Sequence, residues 1–175
     1  DFQNIDVKDY EFAQILSEFR EVDRYVRSYF RDKVIRVLVE NGIVVDVFGD
    51  GWDKFVTTHT ECLKIHPAVG YEESLELVGD SKISLNVMPW FKMGAHDRVF
   101  NTMLNGGVAL TDTSLFYENT FADGENVLFY SLEDLRDYEK SGYDECIASR
   151  ITDKVKCALA DTKHLQEIAD SGYEC

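Results

Sequence analysis

The sequence predicts an α/β fold: a three-layer sandwich of about five parallel strands, preceded by a helical N-terminal segment. Three observations carry that expectation. Short apolar runs rich in β-formers recur along the chain, as strands buried on both faces require. Segments of helical period alternate with them, the pattern of a parallel sheet covered by helices on both sides. The third is the stretch Ile83–Asp112, which contains a complete βαβ unit. Its first run, Ile83 to Met88, closes at Pro89, and a loop containing Gly94 follows. Val99, Phe100, Met103 and Leu104 then form one helical face, Gly106-Gly107 ends it, and a second run, Val108 to Leu110, stops at Thr111-Asp112. The loop lies at the carboxyl end of a strand, where open α/β sheets bind ligands, so the expected domain is Rossmann-like.

The remaining elements follow in order. From about Asp9 to Glu40, Phe12, Ile15, Leu16, Phe19, Val22, Val26, Phe30, Val34, Val37 and Leu38 recur at three- and four-residue steps. Asp6 or Asp9 is expected to cap this helix, Asn41-Gly42 to end it, and its length favours a break near Glu21–Asp23. Arg20, Arg24, Arg27 and Arg31 share a face of it. The expected role of that stripe is a solvated face pairing with nearby acids, and a phosphate or domain docking surface is the sharper alternative. Ile43–Phe48 is the first expected strand, with Gly49-Asp50-Gly51-Trp52 after it. Leu63–His66 is a shorter one, followed by Pro67–Tyr71 and a helix to about Gly79 that carries Glu72 and Glu73 in its first turn. Beyond the βαβ unit come a short connection over Ser114–Thr120, a turn at Asp123-Gly124 and a last strand, Val127–Tyr130. Ser131, with Asp134 at the capping-box position, then opens a helix. Ile147, Ile151, Val155 and Leu159 mark another, and Asp161 starts the last, ending near Gly172. With no convincing strand in residues 1–8, Ile43–Phe48 is expected directly beside Ile83–Met88, in strand order 2-1-3-4-5.

Composition narrows the function classes. At 175 residues the chain suits one domain with a proper core, and eleven Phe, nine Tyr and two Trp argue for a folded one. It opens at Asp1 without an initiator methionine, so a piece of a longer or processed chain is expected. A net charge of −15 disfavours unspecific nucleic-acid or anionic-membrane binding but permits a local phosphate patch. No segment is apolar enough to span a bilayer. Cys62, Cys146, Cys157 and Cys175 are widely spaced, which points to free thiols in a reducing cytosol and no metal site.

The motifs carry a resemblance. N-V-x-P followed by H-D-R-V-F-N-x-M-x-N-G-x-V-x-L-T-D is similar to the donor-binding segment of group 1 glycosyltransferases of the GT-B fold, nearest to the branch that includes spore-coat maturation proteins. V-F-G-D-G-W at 47–52 and D-G-E-N-V-L-F-Y at 123–130 stand in the family's order and spacing. The resemblance implies a helical segment over 1–41 and a nucleotide-sugar-binding domain over 42–175, half of a two-domain enzyme. It implies a cytoplasmic glycosyltransferase with a separate N-terminal acceptor domain. The nucleotide sugar is the substrate, and no cofactor is needed. The turn with Gly49, Gly51 and Trp52 would line the cleft, and the loop with Val69 would hold the base. Gly94, Ala95, His96, Asp97 and Arg98 would take the diphosphate, and Asn101 the ribose.

Elementary chemistry supports part of this. The first N–H groups of a helix starting near His96 lack intrahelical partners and attract a phosphate, and Arg98 adds a two-pronged guanidinium. The competing expectation for Arg98 is a salt bridge to Asp97, Glu118 or another acid. In the resembled family a glutamate commonly stands where this chain has Asn101, and a second one falls on Met93. Those departures keep a non-catalytic nucleotide-binding or interaction domain open as the alternative. Trp52 and His66 are expected as packing or strand-end residues before ligand contacts. No nucleophile elbow, P-loop or metal-ligand spacing occurs. A flavin or receiver module has only the fold class in its favour.

Overall fold

The computed structural model describes residues 8–137 and 145–175. It is an α/β, Rossmann-like architecture with a helical N-terminal segment and five parallel strands. The segment is one helix, α1 (Asp9–Glu40), which at 32 residues is about 48 Å long. The expected break near Glu21–Asp23 is absent. No Gly or Pro interrupts the helix, and Arg24–Glu21 (2.7 Å) and Arg27–Asp23 (2.9 Å) bridge successive turns across that point. Lys8 is the N-cap residue and its N–H donates to Glu11 Oε2 at 3.3 Å, so Asp9 is the first helical residue rather than the cap. Asp6 lies outside the described residues.

The expected apolar face of α1 is buried only in its second half. Val34, Ile35, Val37, Leu38 and Val39 are buried, whereas Phe12, Ile15, Leu16, Phe19 and Val22 are exposed. The strands are β1 (Val45–Phe48), β2 (Leu63–His66), β3 (Ile83–Asn86), β4 (Val108–Asp112) and β5 (Leu128–Tyr130). Between them run α2 (Tyr71–Asp80), α3 (Asp97–Leu104) and α4 (Leu115–Thr120), and after them α5 (Leu132–Asp137), α6 (Glu145–Ala160) and α7 (Thr162–Glu174). Ile43 stays outside β1 because its N–H closes the end of α1, donating to Leu38 O at 3.0 Å. Likewise β3 stops at Asn86, and the Met88 N–H turns to a side chain of β4 instead of a ladder.

The strand order corrects one expectation. β1 pairs in parallel with β2, and β3–β4–β5 pair in parallel, but β1 and β3 share no ladder. The order 2-1-3-4-5 is therefore split between its second and third members. Side chains close the seam: Val45 of β1 and Leu85 of β3 pack against the same two apolar clusters. One of these joins α1, the α5–α7 helices and one face of β4, through Val108 and Leu110. Ala109 faces the other way, into a cluster of Val99, Met103, Tyr117 and Phe129. The third, Ile35, Val39, Val47 and Cys62, lies under β1. Cys62, Cys157 and Cys175 are free thiols; the side chains of Cys146, Ile147 and Asp134 lie outside the described residues.

Candidate functional site

The βαβ unit concentrates polar chemistry at the carboxyl ends of β3 and β4. A polar residue ending a buried strand must find partners, and Asn86, 1 % exposed, finds them on three sides. Its Nδ2 donates to Thr111 Oγ1 at 2.9 Å, its Oδ1 accepts from Arg98 Nη1 at 3.1 Å, and its backbone carbonyl accepts from Tyr130 Oη at 2.8 Å. Arg98 is thus held by a neutral amide. Among the described residues it forms no ion pair, so the expected competitor, a bridge to Asp97 or Glu118, is not made. Its charge is oriented without being neutralised.

Asp112, fully buried, organises the loop next to it. Its Oδ1 accepts from the Met88 N–H at 2.6 Å, and its other oxygen pairs with Lys92 Nζ, which also donates to Thr113 O at 3.0 Å. Burial and the Asp112 charge push the Tyr130 phenol well above its ordinary pKa, so it stays a neutral donor. The loop is pinned again further on, where Ser114 Oγ donates to Gly94 O at 2.6 Å and the His96 N–H donates to Tyr117 Oη at 2.7 Å.

His96 is the N-cap of α3. Its Nδ1 lies 3.2 Å from the Arg98 N–H and 2.7 Å from Asp97 Oδ1. The two contacts demand opposite states of Nδ1, acceptor for the first and donor for the second. Desolvation and then the Arg98 charge hold the imidazole pKa below its usual value, so the neutral ring chooses between them by tautomer.

The other expected site residues fall into two groups. Gly94, Ala95, His96, Asp97, Arg98 and Asn101 lie on one loop and the first turns of α3. The Asn101 side chain makes no hydrogen bond among the described residues, and Met93 is 74 % exposed. Gly49, Gly51, Trp52 and Val69 belong to the other sheet, following β1 and β2. Gly49 (φ +110°) and Gly51 (φ +90°) occupy backbone conformations that L side chains resist, which accounts for both glycines. Trp52 packs with Phe55 on the cluster under β1, ring centroids 6.2 Å apart. His66 stacks on Phe48 and pairs with Asp46 at 2.7 Å, as an ordinary strand-end residue does.

Sequence reasoning missed Asn86, Lys92, Asp112 and Tyr117. The available signal was polarity at the end of a strand, since Asn86 is the one buried residue of a half-buried run and Asp112 closes a fully buried one. The arginine stripe of α1 is in part the paired face expected of it: Arg24 bridges Glu21 and Arg27 bridges Asp23.

A cavity of about 230 Å³ opens at the carboxyl ends of β4 and β5, lined by Thr113, Tyr130, Ser131, Arg150 and Lys154 among others. None of the expected donor-binding residues lines it. His59, Glu61 and Cys62 bring potential metal-ligand atoms within 4.8 Å of one another. Burial and Glu61 raise the Cys62 thiol pKa, the reverse of what a metal-binding thiolate needs. No helix among the described residues is long and apolar enough to cross a membrane. Among known proteins, the sequence model of a family described as glycosyl transferase-like matches residues 27–175. No curated protein matches the chain.

Proposed function

Since the chain belongs to the glycosyl transferase-like family, we propose that it is the nucleotide-sugar-binding half of a GT-B glycosyltransferase of the spore-coat maturation branch. In this proposal residues 42–175 form the donor domain and 1–41 the helical segment beside it. The acceptor and the catalytic base belong to a separate N-terminal domain. The observation that carries the proposal is Arg98, oriented by Asn86 at the carboxyl edge of the sheet and left with its charge unneutralised. A departing nucleoside diphosphate is the ligand such a group suits. The guanidinium stabilises the charge that develops on the leaving phosphate as the glycosidic bond breaks. Asn101, one turn on from Arg98, offers its free amide to the ribose hydroxyls. The chemistry asks for no metal, and the enzyme would work in the cytoplasm.

Met93 and Asn101, standing where the resembled family has glutamates, favour a second reading: a nucleotide-binding domain without catalysis. Thermal-shift screening with nucleoside diphosphates and nucleotide sugars tests both, because a selective ligand raises the melting temperature by mass action. Nucleoside diphosphates are expected to stabilise, and stabilisation by no nucleotide removes both. Calorimetry then assigns the residues. Arg98→Ala should weaken nucleoside diphosphate binding by about 1.5–3 kcal/mol and leave the bare nucleoside nearly unchanged. Asn101→Ala should weaken both. Equal losses for both ligands in Arg98→Ala take Arg98 out of the site. The chain alone should not transfer sugar; robust turnover would refute the two-domain proposal, whereas slow donor hydrolysis would not.

A further inference from the structure

The approach to β2 gathers a nitrogen, an oxygen and a sulfur in one place. A short 3-10 turn, Thr60–Cys62, leads into the strand, with His59 just before it. Ligand atoms of His59, Glu61 and Cys62 all fall within 4.8 Å of one another. His59 Nδ1 lies 3.3 Å from Glu61 Oε1, and the same oxygen lies 3.9 Å from Cys62 Sγ. A tetrahedral ion with bonds of about 2.0–2.3 Å holds neighbouring ligand atoms about 3.3–3.8 Å apart. Two edges of such a shell are therefore close to the required length. The other ring nitrogen faces a second carboxylate: His59 Nε2 lies 3.9 Å from Glu40 Oε2 at the end of α1. Glu40 is itself fixed, accepting from the hydroxyls of Thr57 at 2.7 Å and Thr58 at 2.9 Å. A carboxylate behind an imidazole is the usual partner of a metal-bound histidine, because it sets the tautomer that leaves the far nitrogen free to ligate. Cys62 is buried on the cluster under β1, whereas Glu61 is exposed, so the three atoms can be reached from the solvent side.

We infer that His59, Glu61 and Cys62 bind a thiophilic divalent metal ion, zinc being the best match, with Glu40 orienting the imidazole and water in the fourth position. The ligand set decides the class of ion. Calcium and magnesium take shells of six or more oxygen ligands, whereas a thiolate, an imidazole and one carboxylate suit zinc. Burial and the Glu61 charge favour the protonated Cys62 thiol when no ion is present. On binding, the S–H proton passes to solvent and the sulfur lone pair goes to the metal, since a coordinating thiol is deprotonated outright. The ion would tie the end of α1, through Glu40, to the turn entering β2, and so stiffen the two-stranded sheet. This site is independent of the nucleotide assignment, because none of its residues belongs to the proposed donor site.

Titration of the whole chain with cobalt(II) and zinc tests this. Cobalt should give thiolate-to-metal charge-transfer absorption in the near ultraviolet and the intense visible bands of a tetrahedral shell. Zinc should displace it and raise the melting temperature. Cys62→Ser should abolish the charge-transfer band. His59→Ala and Glu61→Gln, which leave the buried thiol and the core in place, should each weaken zinc binding by about tenfold or more, and Glu40→Gln by about tenfold with the band retained. A chain in which Cys146, Cys157 and Cys175 are all replaced by serine should keep both the band and the zinc affinity. Absence of the band in the unaltered protein, or a band that survives Cys62→Ser, overturns the inference. Zinc binding that falls less than about twofold in either His59→Ala or Glu61→Gln also overturns it. So does loss of the band in the triple serine chain, because thiols other than Cys62 would then be the ligands.

Discussion

The two sheets end in the same kind of place and treat it differently. At the carboxyl end of β3–β4–β5, Asn86, Thr111 and Asp112 are buried: Asn86 holds Arg98 of α3, Thr111 holds Asn86, and Asp112 holds the Met88 N–H of the adjacent loop. At the carboxyl end of β1–β2, Asp46 and His66 pair in the open, and glycines with positive φ shape the turn. One edge is built from buried hydrogen bonds that orient side chains, the other from backbone conformation that leaves room. A buried polar group has few alternative partners, so it specifies geometry; an exposed one has water. Orientation of charge therefore comes from the three-stranded half and an open turn from the two-stranded half.

The widest gap between the halves should appear on removing one carboxylate from each. Asp112→Ala strips the Met88 N–H and Lys92 of their buried partner, a loss of about 3 kcal/mol. The melting temperature should fall by about 6–12 °C. Asp46→Ala removes an exposed pair with His66 and should move it by no more than about 2 °C. Equal shifts would erase the distinction. A smaller effect is expected at the backbone: Gly49→Ala forces a side chain into φ +110°, with open space around it. The cost, about 1–2 kcal/mol, is strain alone, and denaturant unfolding against the unaltered protein measures it.

The smallest effect is in pH. His96 has its pKa lowered in the fold, so the unfolded chain takes up a proton first as pH falls. Its contribution is intact above the unfolded value of about 6.5 and declines as pH drops through that value toward the lower folded one. Unfolding measured from pH 8 to 5 should lose less stability in His96→Gln than in the unaltered protein. Identical profiles would show that neither burial nor the Arg98 charge lowers the pKa of the ring.

The sequence was most legible where period and punctuation agree. Gly106-Gly107 and the apolar run after them place β4 without ambiguity, and β2 matches its expected limits of Leu63 and His66. It was less legible where one position serves two elements, as at Ile43 and Met88, whose N–H groups leave the strand for a cap or a side chain. The apolar period of α1 is uniform along its length, so it cannot tell the packed half from the exposed one. The site was half legible: Arg98 is visible beside a helix start, but Asn86, which aims it, lies twelve residues away on another element.

The seam between β1 and β3 has a kinetic consequence. Backbone hydrogen bonds couple strands into one cooperative unit, and here that coupling stops at two edges joined only by side chains and by α1, which enters the clusters on both sides. A pair of four-residue strands gains little from its own ladder. Amide protons of Val45–Phe48 and Leu63–His66 should therefore exchange with solvent through a partial opening that leaves β3–β4–β5 closed. The turn with Gly49 and Gly51 would move with the looser unit, while the sheet edge that holds Arg98 stays fixed.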